Sequence, residues 1–368
     1  MANEDQHFMQ LAIDEARKGQ GRVEPNPMVG CILVDHDEVI GRGHHEEFGA
    51  PHAEINAIES VGELNTHRVS GATAYVTLEP CSHTGKTGPC STALIDAGVS
   101  RVVVAHHDPN PLVGGEGIRQ LQNAGIEVTT GILSKPAEQV LAPYLKWTQK
   151  RKPWIIAKWA MTLDGKIATV SGDSQWISNP SSREVVHQIR GRVDGIMVGI
   201  GTAIADDPML TARPPGCRQA TRIVIDSKAS ISPESKLVLS AKSHKTIIAV
   251  GPESAPHNRA RLTSLGCDVF CSKFESADER LKDLLTHLAE LGITNLLVEG
   301  GGKLLGSLHT MREIDEVHIF IGPKIIGGSE ALSPVEGDGL PKMSDATELW
   351  NIKVEQIIDD IYVSGRIG

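Results

Sequence analysis

Four residues carry the most chemistry in this sequence: His52, Glu54, Cys81 and Cys90, set in Pro51-His52-Ala53-Glu54 and Glu79-Pro80-Cys81, with Cys90 after them. Imidazole and thiolate are zinc ligands, and a catalytic zinc takes three protein ligands and keeps a fourth position for water. His52, Cys81 and Cys90 supply three, and two thiolates balance the charge of Zn²⁺. A water held there gives up its proton near neutral pH and becomes a nucleophile. Glu54, two residues past the histidine, is then the proton carrier and not a ligand. Structural zinc sites usually close with four ligands, and no fourth stands out.

H-x-E followed by P-C and a second cysteine is the signature of zinc deaminases. In that chemistry water attacks a ring carbon bearing an exocyclic amine, and the glutamate returns the proton to the ring nitrogen and the departing amine. The spacing departs from the usual two residues between the cysteines: Ser82 to Pro89 make eight. Gly85, Gly88 and Pro89 let such a loop fold back and bring the thiolates together. The loop also sets His83 and Lys86 beside the metal. Deamination of a bare base does not need that charge, but a substrate carrying a phosphate could use it.

The whole chain limits the alternatives. At 368 residues it is long enough for roughly two or three domains. Acidic residues outnumber basic ones, 46 to 36, for a net charge of −10. Nucleic-acid binding is driven by basic surface, so a nucleic-acid partner is not expected. The polar N-terminal stretch has no apolar h-region, and no run of about 18 apolar residues exists. No membrane span is expected, and a cytoplasmic location is. Six cysteines in a chain this long do not form a disulfide framework. Cys31, Cys217, Cys267 and Cys271 are expected to be reduced.

The elements that must position the first site are legible. A helix is predicted over 5–18, ended by Gly19, then strands over 29–34 and 39–43. A helix opens at His52 and runs to Ser60. A buried strand over 72–78 delivers Glu79-Pro80-Cys81, and a helix begins at Cys90. His52 and Cys90 therefore fall at helix starts, where the partial positive charge favours thiolate. His52 and Glu54 would diverge in mid-helix, so they must lie where helical geometry is still being set. Strands over 101–105 and 126–130 and a helix over 118–124 complete an α/β layered domain. A short helix over 136–144, shortened by Pro143, and the charged run 149–153 put the boundary near 147–152, giving domains 1–147 and 152–368.

The second half alternates strands (155–160, 195–199, 221–226, 246–250, 294–298, 316–321) with helices, an open and mostly parallel sheet that binds ligands at strand C-termini. Glu299-Gly300-Gly301-Gly302-Lys303, opening a helix, is its best nucleotide signal. It is neither a P-loop nor a full G-x-G-x-x-G, since Leu305 stands at the last position. Gly199-x-Gly201 after another strand adds to it.

Pro25-Asn26-Pro27-x-Val29-Gly30, His52-Ala53-Glu54 and Pro80-Cys81-Ser82-His83-x-Gly85-x-x-x-Pro89-Cys90 together resemble the deaminase half of the bifunctional riboflavin-biosynthesis deaminase–reductase family. Lys158-x-Ala160-x-x-Leu163-Asp164-Gly165, Ser174-Gln175-Trp176-Ile177, Ala205-Asp206-Asp207-Pro208-x-Leu210-Thr211-x-Arg213 and Glu299-Gly300-Gly301 resemble its reductase half. The resemblance covers nearly the whole chain. It implies a cytidine-deaminase-like three-layer α/β/α domain followed by a dihydrofolate-reductase-like α/β domain. It also implies zinc and NADPH as cofactors and a phosphorylated pyrimidine as substrate; a homo-oligomer is a separate expectation. Carried over by motif, Glu54 is catalytic and His52, Cys81 and Cys90 hold zinc, with Asn26 and Lys86 near the deaminase substrate. Ala160, Trp176, Thr202, Asp206, Ser227, Gly301, Gly302 and Lys303 would line the NADPH site. Ser174, Arg190, Leu210, Arg213 and Glu299 would hold the second substrate, with Arg190 and Arg213 able to grip a phosphate bidentately. Lys158 and Asp164 could form a structural ion pair near the nicotinamide. The competing reading is a nucleic-acid base deaminase with an accessory nucleotide-binding domain.

Overall fold

The computed structural model describes residues 2–82, 88–110, 114–214 and 217–368. The chain divides into two compact units, Met1–Lys152 and Pro153–Gly368.

The first unit is built from α1 (Ala2–Ala16), β1 (Gly30–Asp35), β2 (Glu38–His44), α2 (Ala53–Ser60), β3 (Thr73–Leu78), α3 (Cys90–Asp96), β4 (Arg101–His106), α4 (Glu116–Asn123), β5 (Glu127–Thr130) and α5 (Ser134–Lys150). Its sheet runs β2-β1-β3-β4-β5. β1 is antiparallel to both neighbours, and β3, β4 and β5 are parallel. The central strands β1, β3 and β4 carry unbroken buried runs because both of their faces are covered, whereas β2 and β5 at the edges are partly exposed. Cys31, Leu33, Val76, Val102 and Val104 pack on one side with Ala53, Ala57, Leu94 and Leu121 of α2, α3 and α4. Ile32, Val34, Tyr75, Val103 and Ala105 pack on the other with Met9 and Ile13 of α1 and Val140 of α5. This is a three-layer α/β/α sandwich.

One expected element of this unit differs in extent. The helix predicted over 136–144 is α5, a helix of 17 residues with Pro143 inside it. Proline removes one backbone donor and strains the turn before it. Burial of Ala137, Val140, Leu141 and Leu145 along one stripe carries the helix through regardless. α5 thus takes the first unit past residue 147.

The second unit comprises β6 (Trp154–Thr162), α6 (Pro180–Arg190), β7 (Gly195–Gly199), α7 (Ile200–Asp206), β8 (Thr221–Ile225), α8 (Lys236–Leu239), β9 (Thr246–Val250), α9 (Pro256–Ser264), β10 (Asp268–Cys271), α10 (Ala277–Glu290), β11 (Asn295–Glu299), α11 (Gly302–Thr310), β12 (Ile314–Gly322), β13 (Leu349–Ile357) and β14 (Asp360–Ile367). Nine strands form one sheet, in the order β10-β9-β8-β7-β11-β6-β12-β14-β13. The first seven in that order are parallel, and β14 and β13 close the edge antiparallel. α6, α8 and α9 cover one face through Ile189, Leu237 and Leu262. α10 and α11 cover the other through Leu281, Leu285, Leu288 and Leu308. The C-terminal ends of the parallel strands therefore open onto one edge, where such sheets bind ligands.

Candidate active sites

The first site grows from three chain reversals. His52 is the N-cap of α2, with φ −77° and ψ 168°. It is extended, not helical, and this lets its ring and the Glu54 side chain of the first turn face one place. Cys81 leaves β3 after Glu79-Pro80. Cys90 is the first residue of α3, and the start of that helix grips the Cys81 carbonyl: Ser91 donates to it from its backbone N at 3.1 Å and its hydroxyl at 3.0 Å. From below, α4 meets the same turn at Gly117, where an added Cβ would lie 1.9 Å from the Pro80 carbonyl oxygen. Only glycine permits that approach.

The donor atoms of His52, Cys81 and Cys90 all lie within 4.8 Å of one another, and they are the one such group among the described residues. His52 Nδ1 is 3.2 Å from Cys90 Sγ and 3.6 Å from Cys81 Sγ. Zn–N near ~2.0 Å and Zn–S near ~2.3 Å in a tetrahedron put such donors roughly 3.5 Å apart, so the residues fit a zinc ion. The Cys90 backbone N–H also donates to Cys81 Sγ at 3.4 Å. Hydrogen bonds from the Cys90 thiol and His52 lower the Cys81 thiol to about 4, against the effect of burial. The same Cys81–Cys90 bond raises Cys90, so the pair loses its first proton from Cys81 and holds the second. Glu54 is 3% exposed, and burial, then the Cys81 charge, raises its pKa.

His45 belongs to this site and the sequence reading passed over it. Its ring is buried and lies edge-on to His52, centroids 5.3 Å apart. Nδ1 donates to the Pro51 carbonyl at 3.0 Å, which leaves Nε2 to accept from Asn26 Nδ2 at 3.1 Å. Burial lowers its pKa and keeps it neutral. Asn26 is thereby tied to the zinc-site turn. The available signal was the histidine pair closing β2. His83 and Lys86 lie outside the described residues.

In the second unit, one cavity of about 1310 Å³ is lined by all thirteen residues expected there: Ser174, Trp176, Ala160, Arg190, Thr202, Asp206, Leu210, Arg213, Ser227, Glu299, Gly301, Gly302 and Lys303. Ala160 sits on β6, Thr202 and Asp206 on α7, and Ser227 just past β8. Glu299 ends β11, and Gly300 and Gly301 follow with φ of 89° and 83°, a left-handed turn that aims the start of α11 at the cavity.

Two expectations are corrected here. Arg190 is not a free phosphate fork: Nε and Nη2 bind Glu299 Oε1 and Oε2 at 2.6 and 2.8 Å, and Nη1 donates to the Thr211 carbonyl. Arg213 is exposed. Lys158 does not pair with Asp164 but with Glu299, at 3.6 Å. Asp164 instead accepts from Thr162 Oγ1 at 2.6 Å and Gly327 N at 2.7 Å. Burial of Glu299 favours the neutral acid, yet Arg190 and Lys158 hold it down to about 2. The Trp176 ring carries the Arg183 guanidinium 4.4 Å from its centroid.

Known proteins match both halves. The cytidine and deoxycytidylate deaminase zinc-binding region matches residues 2–106, and the RibD C-terminal domain matches residues 153–363. The riboflavin biosynthesis protein RibD of Actinobacillus pleuropneumoniae is 41% identical over 97% of this chain and 94% of its own length. Acinetobacter baumannii RibD superposes with a TM-score of 0.87 at 34% identity, covering 100% of both chains. A diaminohydroxyphosphoribosylaminopyrimidine deaminase/5-amino-6-(5-phosphoribosylamino)uracil reductase from Thermotoga maritima gives 0.84 at 33% identity, covering 100% of this chain and 99% of that one.

Proposed function

The chain belongs to the RibD family of riboflavin-biosynthesis deaminase–reductases, and on that premise we propose the division of labour among its residues. It is a bifunctional enzyme: a zinc-dependent deaminase followed by an NADPH-dependent reductase. The first unit hydrolyses the C–NH₂ bond of a diaminopyrimidinone bearing a 5-phosphoribosylamino group, consuming water and releasing ammonia. The second reduces the ribosyl group of the resulting uracil to ribityl.

His52, Cys81 and Cys90 would hold the zinc, which would supply the Lewis acidity that lowers the pKa of a ligated water toward neutrality. Glu54 would carry one proton from the attacking water to the pyrimidine nitrogen, and the second, from the hydroxyl then on the ring carbon, to the amine as it leaves. Its raised pKa suits a group that must both take and give a proton. Asn26 and His45 form a neutral, fixed wall on which the pyrimidine edge can hydrogen-bond. NADPH, when bound, supplies the hydride to C1′ of the ribose. Glu299 stays a carboxylate, held by Arg190 and Lys158, and accepts hydrogen bonds from the sugar hydroxyls. Arg213, Ser174 and Leu210 complete the substrate end, and Ala160, Trp176, Thr202, Asp206, Ser227 and Gly301 to Lys303 line the cofactor path. The observation that carries this reading is the pairing, on one chain, of a three-donor zinc group with an adjacent buried carboxylate and a cavity lined by all the expected reductase residues.

The partner is a small molecule. No helix among the described residues is long and apolar enough to cross a membrane, and a cytoplasmic enzyme without a nucleic-acid substrate is part of the proposal. So is a homo-oligomer, supported by the edge strand β13, exposed along most of its length with Trp350, Ile352 and Val354 on it. The test supplies the diaminopyrimidinone ribosylamino phosphate and NADPH, and follows ammonia and NADPH absorbance together. Equal amounts, both lost in Glu54→Gln, are expected. Ammonia without NADPH loss would remove the reductase assignment, and deamination of single-stranded nucleic acid in its place would remove both.

A further inference from the structure

Besides Glu299 and its two cations, the cavity has a second charged end. It lies past β8 and β9, whereas Ala160 lies on β6, three strands from β8 and four from β9 in the sheet. At one strand spacing each, that is roughly 14 to 19 Å, so an extended dinucleotide can reach from one end to the other. Ser227 follows β8, and its carbonyl accepts from Gly251 N at 2.9 Å, which ties the ends of β8 and β9 together. Arg280 rises from the first turn of α10, its side chain 16% exposed. Nη2 donates to Ser227 Oγ at 3.2 Å, and Nη1 donates to the Glu275 carbonyl.

These contacts fix the guanidinium without using it up. A guanidinium has five N–H donors, and Nη2 keeps one beyond the bond to Ser227. Ser227 Oγ accepts from Arg280, which leaves its own O–H free to donate. Arg280's one carboxylate is Glu253, 3.7 Å from Nη1 and 42% exposed, a loose pair. Three other cations of the cavity are already engaged, whereas Arg213 and Lys303 are exposed. Arg190 is bidentate to Glu299, Lys236 pairs with Asp207 at 3.5 Å, and Arg183 is stacked on Trp176. Lys228, next to Ser227, is exposed and also lines the cavity.

We infer that Arg280, with Ser227 and Lys228, binds the phosphate on the adenosine ribose of NADPH and is what selects NADPH over NADH. A planar fork on a helix start beside a hydroxyl donor matches a phosphate monoester, and NADH has nothing to place there. Glu253 swings away when the dianion arrives. This rests on the dinucleotide reading of the cavity and adds its specificity.

The test is calorimetric binding of NADPH and of NADH to the full chain and to Arg280→Gln, Arg280→Lys and Ser227→Ala. The parent chain is expected to prefer NADPH. Arg280→Gln should weaken NADPH by roughly 10- to 100-fold and leave NADH affinity where it was, which also reports that the unit is folded. Arg280→Lys should keep part of the preference, and Ser227→Ala should lose less than Arg280→Gln. Equal weakening of both dinucleotides by Arg280→Gln, or equal affinity in the parent chain, overturns the inference while leaving the dinucleotide site standing. Failure of the parent chain to bind either one overturns the dinucleotide reading itself, and this inference with it.

Discussion

At the scale of single residues, each site holds a buried carboxylate whose surroundings shift it, in opposite directions. Glu54 is buried near a thiolate and is raised, whereas Glu299, equally buried, is held down to about 2 by Arg190 and Lys158. Glu54→Gln keeps shape and hydrogen bonding but cannot carry a proton. Ammonia release should fall by roughly 10²- to 10⁴-fold, with zinc content equal to the parent's and reduction of supplied uracil intermediate intact. Loss of zinc together with activity would mean that Glu54 acts on the ligands instead. Glu299 makes a prediction about pH. Its folded pKa lies below the ordinary 4.5. The stability it adds is therefore fully present above that value and is lost as pH falls toward about 2. The shift corresponds to about 3 kcal/mol. Glu299→Gln should cost the second unit about that much at neutral pH, since Arg190 and Lys158 are left without their carboxylate. It should also flatten the decline between pH 4.5 and 2. Denaturant unfolding followed across pH checks both, and a variant as stable as the parent at neutral pH would remove the argument.

At the scale of elements, the zinc site is held by helix starts and one close crossing. Because the Pro80 carbonyl lies where a Gly117 side chain would be, Gly117→Ala must push α4 from the turn that carries Cys81. Overpacking of this kind costs about 1–3 kcal/mol, and disturbing what orients a metal ligand costs roughly 10- to 100-fold in metal affinity. A chelator competition should show weaker zinc retention, with NADPH affinity unmoved; unchanged zinc retention would mean the turn yields freely. How much of this was legible followed from the kind of information each feature uses. The His52, Cys81 and Cys90 cluster was legible because residue type and order point to zinc chemistry directly. Most strands were legible because sheets covered on both faces need unbroken apolar runs. α9 was missed because it buries Leu262 alone, and β10 because it is four residues long. α5 was misjudged because a proline's local cost is visible in sequence and the packing that offsets it is not. The Arg190–Glu299 bond joins residues 109 positions apart, and nothing local predicts that an arginine will be taken by its own protein and not by a phosphate. His45 escaped for the same reason: its role is set by Asn26 and the Pro51 carbonyl, which only the fold brings to it.

At the scale of the whole molecule, the two chemistries rest on separate foundations. Every strand of the five-stranded sheet lies between residues 30 and 130, and every strand of the nine-stranded sheet between 154 and 367. The apolar clusters divide the same way, with α1 to α5 on one sheet and α6 to α11 on the other. A unit that buries its own core and pairs its own strands carries its own folding free energy. Chains cut between Lys152 and Pro153 should therefore each fold. Residues 1–152 should bind zinc and release ammonia at close to the parent rate, and residues 153–368 should bind NADPH and reduce supplied uracil intermediate. Mixed together, the halves should reproduce both steps, but the second should now depend on the concentration of released intermediate. The measurement is therefore the lag before NADPH loss, compared at equal site concentrations for the cut and intact proteins. A lag that is the same in both would mean the intermediate diffuses through solution even when the units are joined. A lag confined to the cut pair would mean that joining them confers something neither unit has alone. A half that cannot fold would show that the division between the two cores is not an energetic one.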